Sequence, residues 1–229
     1  MQTEYLTFIA DYKVQDRFAY LSHQETQSFW QRVLVRAHVP LVYSQGFNPR
    51  PRLSLPLPRS VGVQSECERL CVLAISKDFC VQRVREAVEA LLPAGCELCT
   101  TDTTAGKASF YPVSVTYQFL LSAPPDGHRQ DHLQQCILQT QACEPIMQLR
   151  HLEKDRRRSV NIRPFLKELT VNDCVIRAVC AFRPEGTVRV DELMRWLNLT
   201  PQELSEPVRR AAVQWVSNTN DLQGEYNQL

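Results

Sequence analysis

The residues best equipped for chemistry sit in one stretch, Tyr43-Ser-Gln-Gly-Phe-Asn-Pro-Arg-Pro-Arg52. The rings of Tyr43 and Phe47 offer faces on which unpaired bases can stack. Gln45 and Asn48 bring amides that can meet base edges, and Arg50 and Arg52 bring guanidinium forks that match phosphate oxygens. Stacking groups, amide edges and cations are what recognition of single-stranded RNA requires. The same residues also have a structural reading. Tyr43 and Phe47 would then be core anchors, and the arginines would cap carbonyls or pair with Glu66 and Glu68.

Charge patterning strengthens the first reading. From Thr26 to Ser65 there is no Asp or Glu, while Arg32, Arg36, Arg50, Arg52 and Arg59 fall inside that window. The chain as a whole carries a formal charge of only +1. Local potential, not net charge, attracts polyanions. A second basic run, Arg150 to Arg163, contains Arg156, Arg157 and Arg158 in a polar turn. With Arg163 these are further candidates for gripping a phosphate backbone. The alternative is a solvated hairpin tip partly neutralised by Glu153 and Asp155.

His23 is the one candidate for acid–base work, since imidazole titrates near neutral pH. No second acid–base group is identifiable beside it. It reads equally as a polar residue bonding a neighbouring loop.

Other chemistries find little support. Cys96 and Cys99 form one CxxC, but no second Cys/His pair follows at zinc spacing. His128 and His132 are spaced for one helix face without HExxH or a third ligand. No GxGxxG, GxxxxGK[ST] or GxSxG occurs, and there is no CxxxCxxC iron–sulfur triad. The chain is expected to carry no metal and no cofactor of its own. Nine cysteines, an odd number, argue against a disulfide framework. Most read as small core hydrophobes.

These residues must be held by a scaffold of ordinary globular composition, with 44% hydrophobic and 22% charged residues. No apolar run is long enough to span a bilayer. Met1-Gln-Thr-Glu-Tyr-Leu lacks a signal-peptide pattern, so the expected compartment is the cytoplasm. Glu4 to Tyr12 reads as a strand. Ser22 and Glu25 have the spacing of a capping box opening a helix, with Phe29, Val33, Leu34 and Ala37 on one face and Pro40 as its stop. Short extended segments follow at 40–44 and 52–57, then a strand at 68–75, a helix at 78–92 and a strand at 96–101. That order, β-α-β-β-α-β, is the ferredoxin-like arrangement. It repeats after a polar segment, with strands at 113–122, 146–152, 172–183 and 207–216, extended structure at 159–169, and helices at 127–143 and 190–199. The expectation is an α+β protein of two tandem ferredoxin-like halves with antiparallel sheets. Residues 1–103 form the first half, 104–112 a linker and 113–229 the second.

Tyr20-Leu-Ser-His23, the stretch Pro40 to Leu55 with its SxGFNPxP string, Pro56-Leu-Pro58 and Val61 to Glu66 together closely resemble the radical SAM-linked protein family, a bacterial domain of unknown function. In the second half, Val160-Asn-Ile-Arg-Pro164 and Arg183-Pro-Glu-Gly-Thr-Val-Arg-Val-Asp-Glu-Leu193 also fit its pattern. The family's His-Pro-Lys is Arg50-Pro-Arg52 here, and Asn161 stands where the family has an acid. The resemblance implies a radical SAM protein as partner and an RNA-related role, and it carries over no catalytic residue. Together with the loop chemistry it leads to an expected function as a non-catalytic, RNA-binding accessory subunit. The contact surface would comprise His23, Tyr43, Gln45, Phe47, Asn48, Arg50 and Arg52. The alternatives are a metal-independent RNA-processing enzyme using His23, or a protein-interaction adaptor.

Overall fold

The computed structural model describes residues 4–151 and 156–217, with His151 described by its backbone. The protein is of mixed α+β type, built on mainly antiparallel strand pairing, with four α-helices among the described residues. The chain divides into two compact units, Met1–Pro112 with Trp215–Leu229, and Val113–Gln214.

In the first unit, β1 (Tyr5–Val14) and β3 (Gln64–Ile75) alternate apolar and polar residues, so each buries one face. They pair antiparallel, with Tyr12 opposite Glu68 and Asp11 opposite Arg69. β4 (Cys96–Ala105) takes the other side of β1, and the short β2 (Leu53–Ser54) lies beside β3. The strand order is therefore β4-β1-β3-β2. Helices α1 (His23–Arg36) and α2 (Val81–Glu89) contribute Trp30, Leu34, Val84 and Val88 to a core with Phe8, Tyr12, Leu70 and Val72. Rings meet edge-on through it, Phe18 to Phe29 at 4.8 Å, Phe29 to Trp30 at 5.4 Å and Trp30 to Tyr12 at 4.8 Å.

Helix α1 begins where local chemistry dictates. The Ser22 hydroxyl accepts from the Glu25 N–H, and the Ser22 N–H donates to the Glu25 carboxylate at 2.8 Å. The helix ends before Pro40, because His38 turns the chain through a left-handed φ of 52°. Its buried face differs from expectation. Trp30 and Thr26 are buried beside Val33 and Leu34, while Phe29 is only partly covered.

On β3, Arg69 donates two hydrogen bonds to the Asp11 carboxylate, at 2.7 and 2.8 Å. Its guanidinium also lies over the rings of Phe110, at 4.9 Å, and Trp215, at 5.0 Å.

The stretch expected as a linker is mostly strand. β4 continues to Ala105 and β5 (Phe110–Leu120) starts soon after, leaving 106–109 between them. The end of β4, Thr104 and Ala105, suits an exposed strand as well as a loop, and pairing with β1 decides the matter.

The second unit has the strand order β10-β5-β9-β8, from β5, β8 (Leu166–Asn172), β9 (Val175–Ala181) and β10 (Arg209–Ser217). Helix α3 (Gly127–Gln141) packs against β8. It is tied to α4 (Val190–Trp196) by a 2.7 Å hydrogen bond from the Trp196 indole to the Gln139 amide oxygen. Strands β6 (Met147–His151) and β7 (Arg157–Asn161) form a separate two-stranded ribbon.

Candidate nucleic-acid interface

The turn between Val42 and Arg52 is a closed, strand-like structure. Tyr43 bridges to Pro51. The Ser44 N–H donates to Arg50 O at 2.8 Å, and the Arg52 N–H donates to Val42 O at 2.8 Å. The Ser44 hydroxyl accepts from the Arg50 N–H at 3.0 Å. The base is fastened to β3, since Val42 N–H donates to Leu73 O at 3.0 Å and Leu73 N–H to Arg52 O at 2.9 Å. Two prolines favour extended backbone here, and Gly46, at φ 127°, supplies a conformation open essentially to glycine.

That pairing fixes which side chains share a face. Residues opposite one another in an antiparallel pair lie on one face, and successive residues alternate. Ser44, Arg50 and Arg52 therefore share one face, while Tyr43 and Pro51 take the other. Arg50 and Arg52 stand about 7 Å apart along their strand. Both are exposed. Neither is paired with Glu66 or Glu68, and neither has a carboxylate partner among the described residues. Phe47, at 106% relative exposure, is no core anchor. Gln45 and Asn48 are exposed beside it, and Tyr43 is exposed on the opposite face. The structure thus brings Phe47, Gln45, Asn48, Arg50 and Arg52 to one exposed turn and sets Tyr43 across from the arginines.

Arg59 serves the fold. Its guanidinium donates to the carbonyls of Ala19, at 2.5 Å, and Val63, at 2.7 Å.

His23 lies elsewhere from the turn tip. It is exposed at the first position of α1 and edges a depression of about 10 Å³ that it shares with Tyr12, Leu57, Arg59 and Glu68. Burial pushes the Tyr12 phenol well above its ordinary pKa, and the nearby Glu68 adds to the effect. Tyr12 and Glu68 line the depression that His23 edges, and sequence reading did not place them there. Their signal is the β1–β3 register, which brings residues far apart in the chain together.

The second basic run separates into different roles. Arg150 donates to both carboxylate oxygens of Glu192, at 2.6 and 2.8 Å, and to Thr187 O at 2.7 Å. Glu192 also accepts from the Arg189 N–H at 2.8 Å, which caps α4. Burial alone would raise the Glu192 pKa. The bonds from Arg150 and the Arg189 N–H outweigh it and hold the carboxyl below its usual range. Arg163 donates to Ala142 O at 2.6 Å and Leu166 O at 3.2 Å, so its guanidinium ties backbone segments together rather than standing free as a phosphate ligand. Arg156, Arg157 and Arg158 are exposed. The suggested neutralisers, Glu153 and Asp155, lie outside the described residues.

Of the sulfur and imidazole candidates, His128 is exposed, while Cys96, Cys99 and His132 are at least partly built into the fold. Cys96 is buried and Cys99 half-buried, and burial pushes the Cys96 thiol up to about 12. The His132 Nε2 lies 3.1 Å from Trp196 O. Among the described residues no three His, Cys, Asp or Glu side chains gather as metal ligands do. No helix among them is long and apolar enough to cross a membrane.

Sequence comparison places the chain in a class of bacterial proteins, matching over residues 8–190 the family described as "Uncharacterized protein conserved in bacteria (DUF2344)". The chain belongs to that family. No curated protein matches it. Among solved structures, a chain of "Crystal Structure of a Cbf5-Nop10-Gar1 Complex" is similar at 12% identity and a TM-score of 0.44. The alignment covers 90% of this chain and 48% of that one, so this chain spans about half the length of its match.

Proposed function

We propose that the protein is an RNA-binding accessory module whose 43–52 turn engages an unpaired strand. One observation carries this reading: Phe47 is fully exposed on a closed turn whose Arg50 and Arg52 share a face and have no carboxylate partner among the described residues. A ring without cover and paired free guanidiniums suit a base and its phosphates. The backbone of the turn is already paired, so the ordering left for binding is that of its exposed side chains.

The scaffold of this proposal is ferredoxin-like in both units. The orders β4-β1-β3-β2 and β10-β5-β9-β8 support it, each having the first strand of its hairpin at one edge and the last strand at the other. By the resemblance of the SxGFNPxP turn, the partner is a radical SAM protein, and the setting proposed with it is the cytoplasm. A tagged chain should then co-purify with that protein.

RNA binding is tested by titrating labelled single-stranded oligoribonucleotides at several salt concentrations. Affinity should fall steeply with salt, and Phe47→Ala should weaken it. Absent or salt-insensitive binding overturns the reading. A second reading, RNA processing at His23, is favoured by the company of Glu68 and Arg59 around that imidazole. It predicts cleavage of a cellular RNA that His23→Ala abolishes while binding survives.

A further inference from the structure

The β6–β7 ribbon has a face that phosphate binding does not explain. Its register sets Leu149 opposite Ser159, Arg150 opposite Arg158 and His151 opposite Arg157. By strand alternation, Arg150 and Arg158 share one face. Met147, Leu149, Arg157 and Ser159 share the other. Arg150 is bound to Glu192 on α4, so its face is the one turned toward that helix. The opposite face is left to solvent, with Met147 54% and Leu149 42% exposed and Arg157 and Ser159 also exposed.

Arg157 and Arg158 thus leave the ribbon from opposite faces and cannot close on one phosphate as a pair. Among the residues of that face whose side chains are described, Arg157 is accompanied by a thioether and a branched aliphatic chain, both well exposed. Met and Arg are enriched where proteins meet proteins, and charged groups there meet their opposites. No carboxylate among the described residues pairs with Arg156 or Arg157. The Arg150–Glu192 ion pair fixes the ribbon's placement against α4 beforehand.

We infer that this ribbon face docks a segment of another protein that carries apolar side chains flanked by Asp or Glu. The apolar residues cover Met147 and Leu149, and the acids meet Arg157 with Arg156 beside it. This surface is separate from the 43–52 turn, and its use does not depend on RNA binding.

The test uses the full chain in a bacterial host, with photo-reactive p-benzoylphenylalanine at Leu149 and, as control, at the exposed Gln135 of α3. Crosslinks from position 149 should map to a protein segment of net negative charge. Their yield should fall on the order of tenfold on Arg157→Glu, and similarly on Met147→Asp. Circular dichroism establishes that both variants are folded. Crosslinks to RNA, crosslinks to a segment without net negative charge, yields indifferent to Arg157→Glu, or yields no higher than at position 135 would each overturn the inference.

Discussion

Arg150 on β6 holds Glu192 on α4 by two hydrogen bonds, at 2.6 and 2.8 Å, and the Glu192 side chain is wholly buried. Removing one partner strands the other. Arg150→Met should therefore cost about 3–5 kcal/mol in urea unfolding, whereas Arg150→Met with Glu192→Leu should recover most of that loss. About 1 kcal/mol should stay lost, because Glu192 also caps α4. A single substitution costing under about 1 kcal/mol would remove the pair's assigned role.

The same carboxyl makes stability depend on acid. Its pKa is lowered in the folded chain, so its contribution is complete above the unfolded value, about 4.3, and is lost as pH falls through the folded one. The stability gap between the wild type and Glu192→Gln should be widest near neutral pH and should narrow below about pH 4. Urea midpoints measured across that range check it. A constant gap would contradict the assignment.

At the turn, Arg50→Ala with Arg52→Ala should reduce the salt slope of oligoribonucleotide binding by about 1.4, the share of two phosphates on a single strand. Phe47→Ala should cost about 1–3 kcal/mol of affinity without altering that slope. Since Phe47 is fully exposed, thermal unfolding should hardly change. Slope and affinity moving together in Phe47→Ala would show that the ring acts through the arginines.

Ser22→Ala removes one acceptor of the α1 capping box and should cost about 1 kcal/mol. Chemical denaturation reads the loss. Ser22→Asp should restore most of it.

Thiol reactivity should follow burial. Cys80 and Cys143 are exposed and should react with iodoacetamide in the native protein. Burial holds Cys71 and Cys136 up at about 11 and Cys96 at about 12, and these should react only on unfolding. Mass spectrometry of the alkylated chain distinguishes the groups.

Local signals in the sequence were legible where local chemistry decides. Ser22 and Glu25 mark the start of α1 because both halves of the capping box lie within one turn. Alternation exposes β1 and β3 for the same reason. What escaped depends on partners distant in the chain. Thr26 and Trp30 are buried where periodicity had favoured Phe29, because the facing Tyr12 ring supplies the pocket. Among the arginines, composition cannot tell Arg50, whose guanidinium has no carboxylate partner among the described residues, from Arg163, which is held by Ala142 O and Leu166 O. Tyr43 and Arg50 are near in sequence, yet the bridge to Pro51 puts them on opposite faces. The prolines announce extended backbone but not the register in which it pairs.

Trp215 rests on the Arg69 guanidinium at 5.0 Å, which makes the indole a built-in optical gauge. A strand near the end of the chain is clipped by a cation that Asp11, near the beginning, already grasps. Loosening that clip should shift the Trp215 part of the emission, seen against the constant signal of the buried Trp30 and Trp196, before the helical signal fades, so fraying there can be followed without attaching any dye.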